Sequence, residues 1–240
     1  MNSNQTMSLL TRFRDDSLLE IGLDEAGRGS FWGPIVAGAV ILPAEWTEEQ
    51  RALLLQMRDS KRISVKKRVR LAHEIKERIP LCGTGVVHAH EINEKGITWA
   101  NQEAFRRAIQ SLPGINGVTC RLLIDGVLSI DKWQGQQETI VEGDNQYIAI
   151  AAASILAKVT HDTWIRDYCT EHPECNERYD LIGSNGYGTA KHREAITIYG
   201  GHELHRQLYI QRWLPGVIRT PSKKKDQAKK KDECLIRFST

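Results

Sequence analysis

Apolar residues recur in two rhythms along this chain, and the changes of rhythm predict the order of its elements. Nearly continuous apolar runs edged by glycine occur at "LLEIGLDEAG" (18–27) and "GPIVAGAVIL" (33–42), which predicts two strands joined by a tight turn as a hairpin. Helical spacing follows at "TEEQRALLLQMRDS" (47–60), opened by a Thr-x-Glu cap, and at 65–79, where Val65, Val69, Ala72, Ile75 and Ile79 repeat. A strand is predicted over 81–91, and an amphipathic helix over 98–112 that stops at Pro113-Gly114. "CRLLIDGV" (120–127) reads as a strand buried on both faces, and 137–143 as a further strand.

Residues 144–169 read as one long helix with Asp144 as its N-cap. Its alanine-rich first half is apolar nearly all round, as in a helix buried within a protein. From about 170 to Leu214 the pattern is loop and helix. Hairpin strands followed by strand–helix alternation predict an α/β fold with a mixed central sheet and helices on both faces, followed by a C-terminal helical region.

Charge changes this picture at one end. The net charge is +3, yet residues 215–240 carry eight Lys or Arg against three acids, so the rest of the chain is slightly acidic. Three parts are expected: an N-terminal segment 1–17, a main folded domain 18–214, and a lysine-rich flexible tail 215–240. Such a tail is a solubilising appendage or a non-specific nucleic-acid anchor, and by itself names no partner. The five cysteines are scattered without a C-x-x-C pair, no run is long enough to span a membrane, and the first residues lack a secretory pattern. The expectation is a cytoplasmic protein with reduced thiols.

Acids stand where apolar burial would be expected. Asp24 and Glu25 close the first strand, Asp125 ends "RLLID", and Asp162 continues the helical stripe of Ile148, Ala151 and Ile155. Acids at the carboxyl ends of neighbouring strands share the crevice where ligands bind in such sheets. Buried together they need cations, and hard oxygen donors suit Mg²⁺ or Mn²⁺. Taken singly, each acid is as well explained by a cap or a base partner such as Arg28 or Lys158.

The segments "GLDEAGRGSFWGPIVAGAVIL", "DSKRIS", "LIDGV", "IAAASILAKVTHD", "NGYGTAKHREAI" and "HRQLY" occur in an order that resembles the type 2 ribonucleases H (RNase HII), over residues 20 to 210. The lack of a long N-terminal extension separates the pattern from that of RNase HIII. The resemblance implies an RNase H-like fold and a monomeric endonuclease with two divalent ions. It would cut the RNA strand of RNA–DNA hybrids and nick duplex DNA 5′ to embedded ribonucleotides, leaving 3′-hydroxyl and 5′-phosphate ends. Primer removal and ribonucleotide excision repair are the implied roles. The family's metal-binding carboxylates fall on Asp24, Glu25, Asp125 and Asp162. Its ribose-reading turn falls on Gly27, Arg28 and Gly29, and its junction-sensing tyrosine on Tyr187.

The chain departs from the family pattern at Ser30-Phe31-Trp32, where Pro-Leu-Ala is usual, at Glu142 and Asn185, where lysine is usual, and at Tyr209, where phenylalanine is usual. Lys61 and Arg62 are candidate phosphate contacts. His88 and His90, on one strand, could face the same way, with a surface or core role preferred. His192, His205 and Arg206 are explained equally by support of the site and by packing. "QLYIQRWL" (207–214) resembles a sliding-clamp-binding peptide anchored by Ile210, Trp213 and Leu214, with core packing as the preferred reading. Two other functions stay open at this point: a hybrid-binding module without catalysis, and a junction-cutting nuclease on the same fold.

Overall fold

The computed structural model describes residues 9–57, 63–115 and 119–217. Five strands form one sheet: β1 (Leu19–Ala26), β2 (Ile35–Val40), β3 (Cys82–Val87), β4 (Cys120–Asp125) and β5 (Gln136–Ile140), in the order β3-β2-β1-β4-β5. The hairpin β1–β2 is antiparallel, as is β2–β3, whereas β1, β4 and β5 run parallel. The mixed sheet expected from the pattern is therefore present.

Side chains alternate across β1 and β2, and each face meets its own helices. Ile21, Leu23, Ile35, Ala37 and Ala39 pack with Ala104, Phe105 and Ala108 of α4 (Ile97–Gln110). On the opposite face, α5 (Ile148–Glu171) crosses β1 and β2 and packs with α1 (Glu48–Leu54) and α2 (Val65–Arg78). Alanines let α5 come close, and Gly38 of β2 completes the approach: a Cβ there would overlap the Ala153 carbonyl. This is why the helix is apolar all round in its first half; Ile148 to Ala157 are all buried.

A second core lies beyond the sheet. The end of α5 supplies Ile165 and Cys169, and α6 (Pro173–Tyr179) supplies Cys175 and Tyr179. Leu181 of α7 (Leu181–Ser184), Ala195 and Ile196 of α8 (Ala190–Tyr199) and Ile210 of α9 (Gln207–Ile210) complete it. Trp32, from the turn after β1, is fully buried in this cluster, stacked on His202 at 4.6 Å and edge-on to His205 and Tyr168. The unusual Ser-Phe-Trp sequence thus ties the sheet's turn to the C-terminal lobe.

Several local expectations are corrected. The first helix is capped by Thr47 with Gln50 in a capping box, and ends at Leu54. On α2 the buried face is Leu71, Ala72 and Ile75, while Val65 and Val69 are exposed. The third strand ends at Val87. His88 there caps an unforeseen helix α3 (Ala89–Lys95), its backbone N–H donating to Glu91; the two imidazoles of His88 and His90 do face the same way, stacked at 6.1 Å, but from a helix start and not from a strand. Asp144 lies in a buried 3₁₀ turn (Gly143–Asn145), and α5 begins after Tyr147. Glu142 and Asn185 both hold left-handed backbone, with φ of 54° and 46°. Asparagine tolerates that conformation better than most residues.

Candidate active site

Because β1 and β4 are parallel neighbours with Leu23 opposite Ile124, their carboxyl ends bring Asp24, Glu25 and Asp125 to one edge of the sheet. Strand alternation sends the two adjacent acids of β1 to opposite faces, which answers why they can be consecutive. Asp24, 7% exposed, turns to the α5 side and takes a hydrogen bond from Ser154. Glu25 turns to the α4 side, beside Asn101, with Arg28 at 3.9 Å. Asp125 accepts from the Gly143 backbone N–H at 2.7 Å.

The three acids feel one another. Burial pushes the Asp24 carboxyl well above the usual range, and the charge of Asp125 pushes it further. Burial also raises Glu25, opposed by Arg28 and reinforced by Asp125. Asp162, on α5, behaves differently. Burial raises it, but hydrogen bonds from His161 (Nδ1 at 3.0 Å) and Lys158 (Nζ at 2.7 Å) outweigh burial and leave it below its ordinary value. Among the described residues, no three His, Cys, Asp or Glu side chains form a ready-made metal cage. The chemistry of the donor set nevertheless fits a hard dication: mutually repelling carboxylates, two of them costly to ionise, lie at an open sheet end.

Asp162 reaches this region through its neighbours. His161, fully buried, lies directly under Gly27, and Lys158 stands 5.4 Å from the Tyr187 ring. Gly27 has φ of +82°, and a Cβ there would collide with the His161 ring. The Tyr187 hydroxyl accepts from the Gly27 N–H at 3.2 Å, and Tyr187 pairs with Ser30 across the turn. The turn residues Gly27, Arg28 and Gly29 thus follow closely on Glu25, with Tyr187 bonded to Gly27, and Asp162 is linked to the turn through His161, which lies against Gly27. Lys61 and Arg62 lie outside the described residues.

Arg206 is the site residue that sequence reading left undecided. It is 1% exposed, and its guanidinium donates to the carbonyls of Gly27 (2.6 Å), Arg28 (2.9 Å), Gly33 (3.1 Å) and Pro34 (2.7 Å). Burial lowers its pKa to about 10. Tyr209 adds a hydroxyl bond to the Arg28 carbonyl at 3.0 Å, a contact that phenylalanine would not make. With the carbonyls of Gly27 and Arg28 drawn inward, the turn can present its outer N–H groups to a ligand. The sequence reading assigned no role to His161, although it adjoins Asp162 in the chain, and nothing in the sequence marked Asn101 as a neighbour of Glu25.

The two glycines of the turn have different tasks. At Gly29 a Cβ would meet only the Tyr187 ring, at 3.9 Å, within the gap between turn and tyrosine. Gly29→Ala is therefore expected to fold normally while narrowing that gap. Gly27→Ala should cost about 1–3 kcal/mol from left-handed strain and crowding of His161. Thermal melts of the two variants check this difference: a lowered midpoint for Gly27→Ala and an unchanged one for Gly29→Ala are expected.

The clamp-like segment does not offer its full anchor set. Ile210 is fully buried in the C-terminal core, and Trp213 and Leu214 pack against that core, while Leu208 is 69% exposed.

A family model described as Ribonuclease HII matches residues 21–213. Ribonuclease HII of Synechococcus sp. (strain CC9902) is 40% identical over 193 residues, covering 80% of this chain and 92% of the relative. Among solved structures, the PCNA:RNase HII complex from Archaeoglobus fulgidus superposes with a TM-score of 0.57 at 24% identity, covering 87% of this chain and 100% of that one. Bst-RNase HIII in complex with Mn²⁺ gives a TM-score of 0.59 at 19% identity, covering 82% of this chain and 69% of that one. These two show a shared fold. From the match along nearly the whole described domain and the identity to a full-length relative, the chain belongs to the ribonuclease HII family of endoribonucleases.

Proposed function

We propose that this ribonuclease H cuts the RNA strand of RNA–DNA hybrids and also nicks duplex DNA on the 5′ side of embedded ribonucleotides, leaving 3′-hydroxyl and 5′-phosphate ends. Such an activity serves primer removal and ribonucleotide excision repair in the cytoplasm, with the protein acting as a monomer. The observation that carries the reading is the meeting of three electrostatically coupled acids with a glycine-flanked turn whose carbonyls are pulled inward.

Asp24, Glu25, Asp125 and Asp162 would hold two Mg²⁺ or Mn²⁺ ions. When bound, these supply the positive charge that activates water and stabilises the departing oxygen of an in-line displacement. Ser154 fixes the Asp24 carboxylate and the Gly143 N–H fixes that of Asp125. The outer N–H groups of Arg28 and Gly29 would face the 2′-hydroxyl, the group that distinguishes RNA from DNA at one position. Tyr187 would stand beside the next, deoxy sugar. Lys61 and Arg62 would contact phosphate. The reading does not extend to a sliding clamp held by Ile210, because that side chain is committed to the core.

The test is a DNA duplex carrying a single ribonucleotide, incubated with and without Mg²⁺ or Mn²⁺. A metal-dependent nick 5′ to the ribonucleotide is expected. Binding without cleavage would make the chain a hybrid-binding module, and junction cutting without ribose preference would make it another nuclease. Asp125→Asn and Asp162→Asn should each abolish cleavage with circular dichroism unchanged; unimpaired cleavage would remove that residue from the site.

A further inference from the structure

Two buried imidazoles outside the acid cluster form a hydrogen-bonded chain whose proton positions the geometry fixes. His205 Nδ1 accepts from the His202 backbone N–H at 2.8 Å, so its proton must reside on Nε2. That Nε2–H points at His192 Nε2, 3.0 Å away, which must therefore be the acceptor. The remaining proton of His192 is then on Nδ1, donating at 3.0 Å to the backbone carbonyl of Tyr187. Both rings are fully buried, and His192 sits in the first turn of α8 behind the Thr189 cap. Every donor meets an acceptor, and the chain ends on the residue whose hydroxyl takes the Gly27 N–H.

We propose that His192 and His205 are positioning residues that fix Tyr187 and so set discrimination at the ribonucleotide–deoxynucleotide junction. The inference rests on the reading of Tyr187 as the junction sensor. The pair touches neither the acids nor the turn's outer N–H groups; it acts through the Tyr187 backbone. Burial keeps both imidazoles neutral, which the single-proton chain requires, and drives His205 down to about 3, helped by His192 and His202. The rings packed on the pair are Phe31 at 6.2 Å from His192, and Tyr179 at 4.9 Å and Trp32 at 4.7 Å from His205, while the charged or titratable groups acting on it are Asp180 on His192 and His202 on His205.

His192→Leu keeps the volume but can neither accept nor donate. It should lower kcat/KM on a single-ribonucleotide duplex by about tenfold relative to a uniform RNA–DNA hybrid, the scale of one lost buried hydrogen bond. His192→Gln, whose amide can accept from His205 and donate to Tyr187, should restore the ratio. A merely structural role would lower both substrates together and leave the ratio unmoved, which overturns the proposal.

Tyr187→Ala is the control for the underlying reading. If it shifts the ratio and His192→Leu does not, the positioning role falls alone. If Tyr187→Ala leaves the ratio unchanged, the sensor reading falls and the proposal with it. Should His192→Leu not fold, ¹⁵N spectra of imidazole-labelled wild-type protein decide. Neutral His192 with its proton on Nδ1 and neutral His205 with its proton on Nε2 are expected, and the opposite tautomers overturn the chain.

Discussion

Asp24→Asn is expected to abolish cleavage and, in metal-free buffer, to raise the melting temperature. The two effects share one cause. Asp24 is 7% exposed, faces the charge of Asp125, and holds its carboxyl well above the ordinary range. Ionising it in the folded protein is therefore costly, a cost that a bound dication offsets and an amide never incurs. A carboxyl raised on folding favours the native state at low pH. That advantage fades as pH climbs from the unfolded value through the raised folded value. Metal-free wild-type protein should thus lose stability over that window, and Asp24→Asn should lose less. If Asp24 holds one of the ions proposed above, which would contribute several kcal/mol to transition-state stabilisation, its loss predicts a fall in kcat of about a thousandfold or more. Melting curves in chelator against pH, with Mn²⁺ added back, provide the check. Equal pH profiles for the two proteins would contradict the electrostatic account.

Arg206→Met should be the most destabilising single change near the site. Methionine matches the stem of the side chain but removes the buried donor that four carbonyls share. Bonds to a charged group count for more than neutral ones, and stranding buried acceptors adds a desolvation penalty. The expected loss is about 3–5 kcal/mol, or roughly 10 °C in melting temperature for a chain of this size. Arg206→Lys should recover only part, because one ammonium cannot span oxygens that a planar fork reaches together. Activity should fall further than stability explains, since the turn loses its inward anchor; denaturant melts and single-turnover cleavage at low temperature separate the two.

Much of this arrangement was readable in the chain, and the misses have physical reasons. The hairpin, the buried strand at 120–125 and the long alanine-rich helix carry strong apolar patterns, and the acids stood out by interrupting them. On α2, the valines suggested the wrong face because spacing alone cannot say which of two overlapping stripes meets the core; Leu71 does, and Val69 does not. The helix beginning at Ala89 follows its strand with a single capping residue between, too little sequence for a change of period to register. Arg206 was illegible for another reason. Its partners are backbone carbonyls more than 170 residues earlier, and a carbonyl has no letter in the sequence.

The burial of Trp32 has a consequence for how the molecule comes apart. Its indole, three residues past Gly29, belongs to the core formed by the C-terminal helices. Pulling those helices away would hydrate a large aromatic surface and release the Arg206 clasp on the Gly27–Gly29 turn in the same event. The sheet and the helical lobe should accordingly melt as one cooperative unit, with a single calorimetric peak whose midpoint coincides with the red shift of tryptophan emission. A protease that cuts ahead of α6 would leave an inactive remnant in place of a smaller working nuclease.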